Sequence, residues 1–153
     1  MTGGAGLAEL RGAESDGELL ALLGATTTIA VVGMKEGEDE DAFRVPRYMQ
    51  AAGYRVLPVN PKLDRVLGER AAASLAELAA RGETLDLVNL FRAADHVPAH
   101  VDEILALEPR PKAVWMQLGI VHGESAARLR AAGIDVIQDR CLMVEHRRLL
   151  GLR

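Results

Sequence analysis

The chain has 153 residues, of which 49% are hydrophobic and 26% are charged, a balance typical of one globular domain. Its net charge of −4 argues against broad nucleic-acid binding but is compatible with a local basic pocket for an anion. There is no signal-peptide pattern and no apolar run near the ~18 residues that span a bilayer, and the single cysteine, Cys141, excludes an internal disulfide or a zinc finger. We therefore expect a cytoplasmic protein without membrane association.

Short β-branched runs alternate with longer segments of helical spacing along almost the whole chain. A flanking helix is predicted at about residues 7–23 from its leucine and alanine content, although Gly12 and Gly17 each weaken it by about 1 kcal/mol. The predicted strands are residues 27–32, 54–59, 85–91, 113–117 and 134–138. The predicted helices are residues 45–52, 74–80, 97–107, 125–132 and 142–149.

Glycines at positions 53, 82 and 133 follow three of these helices, where a left-handed residue commonly ends a helix. Since neighbouring parallel strands need a crossover helix, the repeated alternation predicts an α/β fold. We expect a Rossmann-like doubly wound parallel sheet of about five strands with helices on both faces. The whole is expected to form a single domain, with a flanking helix within residues 1–25 and the binding domain at residues 26–153.

Polar residues and glycines collect after four of the predicted strands. In open α/β sheets, ligands bind beyond the carboxyl ends of the strands. A glycine after the first strand lets the backbone approach a ligand closely, and the start of the next helix offers N–H groups to phosphate. The candidate binding residues at these strand ends are Gly33, Met34, Lys35, Glu36, Asn60, Pro61, Lys62, Arg92, Gln117, Leu118 and Gly119.

Two absent motifs narrow the choice of ligand. The first turn lacks G-x-G-x-x-G, and the second strand ends in Asn60, where an NAD-binding domain usually has Asp or Glu for the ribose hydroxyls. The chain also lacks G-x-x-x-x-G-K-[ST], the phosphate loop of nucleotide triphosphatases. NAD and nucleoside triphosphates are both disfavoured.

Four segments carry a resemblance to a known family: IAVVG at 29–33, GYRVLPVNPK at 53–62, WMQLGI at 115–120 and DRC at 139–141. The chain resembles the stand-alone CoA-binding domain proteins, which are similar to the N-terminal CoA-binding domain of the succinyl-CoA synthetase alpha subunit. This resemblance implies coenzyme A as the ligand, with its phosphates near residues 33–36. It also implies that Lys62 serves the adenosine or phosphate groups and that the pantetheine arm lies near residues 117–119.

The acidic run at residues 36–41 departs from the more neutral loop usual in such families. Carboxylates there would repel phosphate, and we expect Lys35, Arg44 and Arg47 to offset them, which adds Arg44 to the candidate binding residues. A solvated loop that complements the dipole of the next helix is favoured over a metal site. Because Pro46 cannot donate inside a helix, regular helix is expected to begin near residues 43–45 or to bend.

The other reactive side chains give weaker signals. The four histidines show no metal or triad spacing. Cys141 follows the last strand and either contacts the ligand thiol or, the favoured alternative, is a small buried apolar side chain. Arg92 either reaches a phosphate or caps its strand end, and the sequence leaves both open.

No set of catalytic residues is recognisable, so we expect a non-catalytic module that binds a small molecule, coenzyme A or an acyl-CoA. A protein partner or a homo-oligomer is possible. The alternatives are an NAD(P)-dependent oxidoreductase with a drifted fingerprint and a regulatory interaction domain without a ligand.

Two single-residue expectations follow from this hypothesis. Gly33→Val is expected to abolish binding while leaving secondary structure largely intact, because a side chain would occupy the phosphate position. Asn60 is expected to favour coenzyme A over NAD, because it removes the carboxylate that would repel the 3′-phosphate on the ribose.

Overall fold

The computed structural model describes residues 14–151, which form a five-stranded parallel sheet between two layers of helices. The helices are α1 (Asp16–Ala25), α2 (Asp41–Ala51), α3 (Leu75–Ala80), α4 (Val97–Leu105), α5 (Gly123–Ala131) and α6 (Leu142–Leu149). The sheet strands are β1 (Thr28–Val32), β2 (Arg55–Val59), β5 (Leu87–Leu90), β6 (Ala113–Met116) and β7 (Asp135–Ile137). Two short antiparallel strands, β3 (Arg65–Val66) and β4 (Glu69–Arg70), follow β2.

The strand order in the sheet is β2-β1-β5-β6-β7, and every neighbouring pair is parallel. The chain first moves from β1 to one edge and then returns past β1 toward the other edge. Strand order therefore reverses between β1 and β5, the position at which doubly wound sheets open a crevice for ligands. The predicted α/β fold class is confirmed.

The strands are mostly apolar because both faces of the sheet are buried; Arg55 and Asp135 are exposed at the first positions of β2 and β7, and Asn89 is a buried polar residue of β5. On β5, Val88 and Leu90 belong to the core beneath α3, α4 and α5, whereas Leu87 belongs to the core beneath α1, α2 and α6. The helix after β1 and the helix after β5 consequently lie on opposite faces. Among residues 14–151, no helix is long and apolar enough to cross a membrane.

The first described helix begins later than the predicted flanking helix. Ser15 accepts a hydrogen bond from the Glu18 N–H, and the Glu18 carboxylate accepts one from the Ser15 N–H, which together form a capping box. This cap fixes the start of α1 at Asp16, so Gly17 lies in the first turn. The predicted residues 7–13 lie outside the described residues.

Helix α2 begins at Asp41, earlier than the start expected at residues 43–45. Pro46 lies inside the helix and cannot donate to the carbonyl of Ala42, one turn before it. The Lys35 N–H donates to that carbonyl instead, at 3.3 Å. The expectation was wrong because a loop outside the helix supplies the donor that proline lacks.

A buried histidine connects α2 to α6. The His146 side chain is only 4% exposed, and its Nδ1 lies 2.9 Å from the hydroxyl of Tyr48. The rings of Tyr48 and Tyr54 contact the imidazole edge-on, with centroids 5.4 and 5.6 Å away. Burial lowers the pKa of His146 because it disfavours the charged imidazolium.

We expect the free energy of unfolding to fall as the pH drops below about 6.5, because the unfolded chain then protonates His146 more readily than the folded chain does. Substitution of His146→Gln should flatten this slope, measured by urea denaturation between about pH 5 and pH 8. The exposed His96 offers a control, since His96→Gln should leave the slope intact. An unchanged slope in the His146 variant would contradict the assignment.

Candidate functional site

Two adjoining pockets form one groove at the carboxyl edge of the sheet. The Lys62 pocket, about 630 Å³, lies over the ends of β1, β2 and β5. The Leu118 pocket, about 570 Å³, lies between the loop before α2, the end of β6 and the start of α6. Four residues line both pockets: Lys35, Phe91, Arg92 and Ala93. Each volume falls within the range usual for small-molecule sites.

Most of the candidate residues from the sequence do meet in this groove. Seven line the Lys62 pocket, namely Gly33, Lys35, Glu36, Asn60, Pro61, Lys62 and Arg92. Arg44, Gln117 and Leu118 line the Leu118 pocket, together with Lys35 and Arg92. Met34 and Gly119 line neither pocket.

Gly33 is required by the packing of the strand ends. It has φ +87°, and a Cβ built on it would lie 2.5 Å from the carbonyl oxygen of Phe91. Its N–H donates to the Val59 carbonyl at 3.0 Å, while the Phe91 N–H donates to the Val32 carbonyl at 2.9 Å. The expectation that Gly33→Val would spare the fold therefore needs correction, because valine would collide with backbone that has no space to yield.

The side chain of Asn60 joins the turns after β1 and β2. Its Nδ2 donates to the Met34 carbonyl at 2.7 Å, and its Oδ1 accepts from the Lys62 N–H at 2.8 Å. Both ends of the amide are thus engaged within the protein, a function that the sequence did not indicate. Met34 as a whole is fully buried, and its carbonyl already accepts from Asn60, so this residue does not reach the surface of the groove.

Lys62 and Arg92 are the cations available in the Lys62 pocket. Within residues 14–151, neither side chain makes a hydrogen bond or an ion pair. Lys62 is exposed, and Arg92 is partly buried at the boundary between the two pockets. The carboxylate of Glu36 lines the same pocket and makes no ion pair within the described residues, so two unpaired cations face one unpaired carboxylate and the balance favours phosphate groups.

The acidic run is largely neutralised by ion pairs of its own. Lys35 lies 3.8 Å from Glu40, Arg47 binds Glu38 at 2.8 Å, and Arg44 pairs with Asp41. Arg44 also donates to the Glu38 carbonyl at 2.7 Å. Lys35 and Arg44 thus offset the acidic residues, as expected. Within the described part of the chain, no group of acidic, histidine or cysteine side chains could hold a metal ion.

Gln117 is fixed in a buried hydrogen-bond network beneath the Leu118 pocket. Its Oε1 accepts from the Leu142 N–H at 2.9 Å and from Asn89 Nδ2 at 3.2 Å, which fixes the orientation of its amide. Within residues 14–151, Asn89 Oδ1 is buried without a partner, and the structure shows no hydrogen bond from Gln117 Nε2. That nitrogen is the donor that Gln117 can offer to a ligand.

The residues after Gln117 differ in their surroundings. Leu118 is 70% exposed on the rim of its pocket. The Gly119 N–H donates to Asp139 Oδ1 at 2.7 Å, so this glycine links two loops at the sheet edge. Cys141 is partly buried, packs against the core beneath α1, α2 and α6, and lines the Leu118 pocket.

Sequence reasoning missed several groove residues because they are ordinary apolar or small side chains. They include Leu63, Phe91, Ala93, Ile120, Met143 and Val144. Phe91 ends a predicted strand and could have been inferred from its position. Met143 and Val144 line the groove because the first turn of α6 packs against the end of β6. No local sequence pattern reveals this tertiary contact.

Residues 27–147 match the CoA binding domain family. The chain belongs to this family. A CoA-binding-domain relative from Bacillus subtilis (strain 168), the uncharacterized protein YneT, is 36% identical over 132 residues, which are 86% of this chain and 94% of the relative.

Several solved structures are also similar to this chain. Cell-free ID.343 from Thermus thermophilus is 45% identical, with a TM-score of 0.83 over 90% of this chain and 100% of that one. A hypothetical protein from Pyrococcus horikoshii OT3 is 30% identical, with a TM-score of 0.84 over 92% and 95%. The dinucleotide-forming acetyl-coenzyme A synthetase 1 of Ca. Korarchaeum cryptofilum shares the fold at 18% identity, with a TM-score of 0.58 over 72% of this chain and 25% of that one.

Gly33→Ala should destabilise the CoA-binding domain more than Gly119→Ala does, although both glycines have φ +87°. At Gly119 a Cβ meets no atom within 4 Å, so alanine should cost only the left-handed backbone strain of about 1–2 kcal/mol. At Gly33 the overlap with the Phe91 carbonyl should add about 1–3 kcal/mol. Chemical denaturation of both variants measures the difference, and equal losses would show that the contact with Phe91 does not require glycine.

Proposed function

We propose that the groove binds coenzyme A or an acyl-CoA, with the phosphates over Lys62 and Arg92 and the pantetheine arm in the Leu118 pocket. The observation that carries the proposal is the contrast between the two joined pockets. One offers two unpaired cations, whereas the other is walled by Leu118, Met143 and Val144. Coenzyme A has the same contrast, because its phosphates are at one end and an uncharged arm is at the other.

The phosphate end is supported by the rigidity of the turns that carry the cations. Asn60 fixes the backbone N–H of Lys62, and the Gly33 turn lies against the Phe91 carbonyl immediately before Arg92. A cation on a preformed turn loses less conformational freedom on binding than one on a loose loop. The two side chains can therefore bind an anion without rearrangement of the backbone.

The arm end is supported by the chemistry of the Leu118 pocket. Pantetheine presents amide groups and methyl groups, which need few polar partners and an apolar wall. The pocket supplies the Gln117 amide nitrogen, the thiol of Cys141 and the side chains of Ile120 and Met143. Arg92 lines both pockets, so it lies where the phosphates of a bound coenzyme A would be joined to the pantetheine arm.

The proposed module is a binder rather than an enzyme. Within the described residues, Cys141 has no base within hydrogen-bonding distance of its thiol. Two of the histidines are engaged elsewhere, since His146 bonds to Tyr48 and His122 caps α5 by accepting from the Ser125 N–H. Nucleophilic catalysis needs a nucleophile in contact with its base, and this pairing is not formed.

Lys62→Ala and Arg92→Ala should each weaken coenzyme A binding roughly tenfold or more, since a charge-assisted contact contributes about 1.5–3 kcal/mol. Each variant should also reduce the salt dependence of binding. Isothermal titration calorimetry at two salt concentrations measures both effects. Arg70 supplies the matched control because it is an exposed arginine of β4 outside the groove, so Arg70→Ala removes the same charge and should leave the affinity within about twofold.

The ligand itself is tested by titrating the wild-type protein with coenzyme A, dephospho-CoA and NAD. Coenzyme A should bind most tightly because it carries one more phosphate group than either competitor. The Lys62→Ala loss should be smaller for dephospho-CoA if Lys62 contacts the 3′-phosphate. A wild-type preference for NAD would overturn the assignment, as would an equal loss for Arg70→Ala.

A further inference from the structure

The rim of the Leu118 pocket carries large apolar side chains that are exposed to solvent. Leu118 is 70% exposed and Val144 is 48% exposed, and both line the same pocket as the partly buried Met143. No other large apolar side chain among the described residues is as exposed as Leu118. Apolar side chains gathered around a concave opening commonly mark a binding surface.

Among the described residues, two unpaired charges remain at this pocket once its ion pairs are removed, the carboxylate of Asp39 and the guanidinium of Arg92. Lys35 pairs with Glu40 and Arg44 pairs with Asp41, whereas Asp39 makes no ion pair within residues 14–151. Arg92 is the remaining cation, and it lies on the side shared with the Lys62 pocket. When the phosphates of a bound coenzyme A neutralise Arg92, as proposed above, Asp39 is the unpaired charge of the described residues that a carboxylate in the Leu118 pocket would meet.

One neutral donor is available in the pocket. Gln117 is 5% exposed, and its Oε1 is occupied by the Leu142 N–H and by Asn89. The remaining amide nitrogen can donate to a carbonyl oxygen of a ligand. A neutral donor beside an apolar wall suits a thioester carbonyl followed by a hydrocarbon chain.

We propose that the Leu118 pocket binds the acyl group of an acyl-CoA and selects a short, uncharged, apolar chain over one that ends in a carboxylate. This inference rests on the proposed binding of coenzyme A in the groove. The acyl chain continues beyond the pantetheine arm and packs against Leu118 and Val144 on the rim of the pocket. In an acyl-CoA the acceptor of the Gln117 amide nitrogen is the thioester carbonyl rather than a pantetheine amide, and Asp39 repels a terminal carboxylate.

Butyryl-CoA and succinyl-CoA provide a matched pair, because both acyl groups have four carbons and only the second ends in a carboxylate. We expect butyryl-CoA to bind about tenfold more tightly than free coenzyme A, given the apolar area that its chain buries. Succinyl-CoA should bind no more tightly than free coenzyme A. Calorimetry with the three ligands at one salt concentration measures the order.

Two surface substitutions test the assigned residues. Leu118→Asp should reduce the ratio of the affinity for butyryl-CoA to that for free coenzyme A from about ten to about one. Leu20→Asp, at an exposed leucine of α1 outside the groove, should leave this ratio unchanged. Asp39→Asn should raise the affinity for succinyl-CoA about threefold and leave butyryl-CoA unchanged, because one exposed charge is removed. Both variants change exposed side chains, so melting curves should match those of the wild type.

The outcomes of these experiments distinguish the inference about the acyl group from the proposed binding of coenzyme A on which it rests. If coenzyme A binds but butyryl-CoA and succinyl-CoA bind equally, the acyl selection is overturned while the proposed function stands. If none of the three ligands binds, both fail. If the chain is a dimer that Leu118→Asp dissociates, and butyryl-CoA has no advantage, the apolar rim is an interface between copies and the acyl pocket is overturned.

Discussion

The groove depends on the close approach of the turn after β1 to the end of β5. The order of strands in the sheet reverses between these two parallel strands, so α2 and α4 lie on opposite faces and an opening forms between them. Gly33 allows the two strand ends to remain in contact at the base of this opening, since any side chain would meet the Phe91 carbonyl. Arg92 immediately follows that carbonyl, so the same contact sets the position of a cation at the centre of the groove.

Hydrogen bonds between loop residues and backbone groups of neighbouring segments stabilise the loops around the groove. Because Pro46 has no N–H, the Ala42 carbonyl lacks its donor within the helix, and the Lys35 N–H donates to this carbonyl instead. Asn60 connects the Met34 carbonyl to the Lys62 N–H in the same region. Each bond satisfies a polar group and ties a groove loop to an element of the fold, so the groove has a defined shape before any ligand is present.

The sequence was sufficient for the fold class, the five strands and α6, because burial on both faces makes parallel strands near-continuous apolar runs. The sequence also predicted that most of the groove residues lie close together, because the carboxyl ends of parallel strands meet at one edge of the sheet. It could not show that Asn60 uses both ends of its amide within the protein, nor the start of α2, which depends on a donor from Lys35. Those features come from contacts between distant segments, which local patterns do not encode.

The net charge of the chain does not indicate the local charge at the groove. The chain carries −4 overall and a run of acidic residues beside the groove, yet Arg44 and Arg47 pair with carboxylates of that run. Screening limits the reach of the remaining exposed charges to about 8–10 Å. Among the described residues, the unpaired charges at the Lys62 pocket are then the cations Lys62 and Arg92 and the carboxylate of Glu36, which leaves a positive balance. At the Leu118 pocket they are Asp39 and the shared Arg92. This distribution of charge is what allows an acidic protein to have the proposed phosphate site at one end of the groove and the proposed selection against a carboxylate at the other.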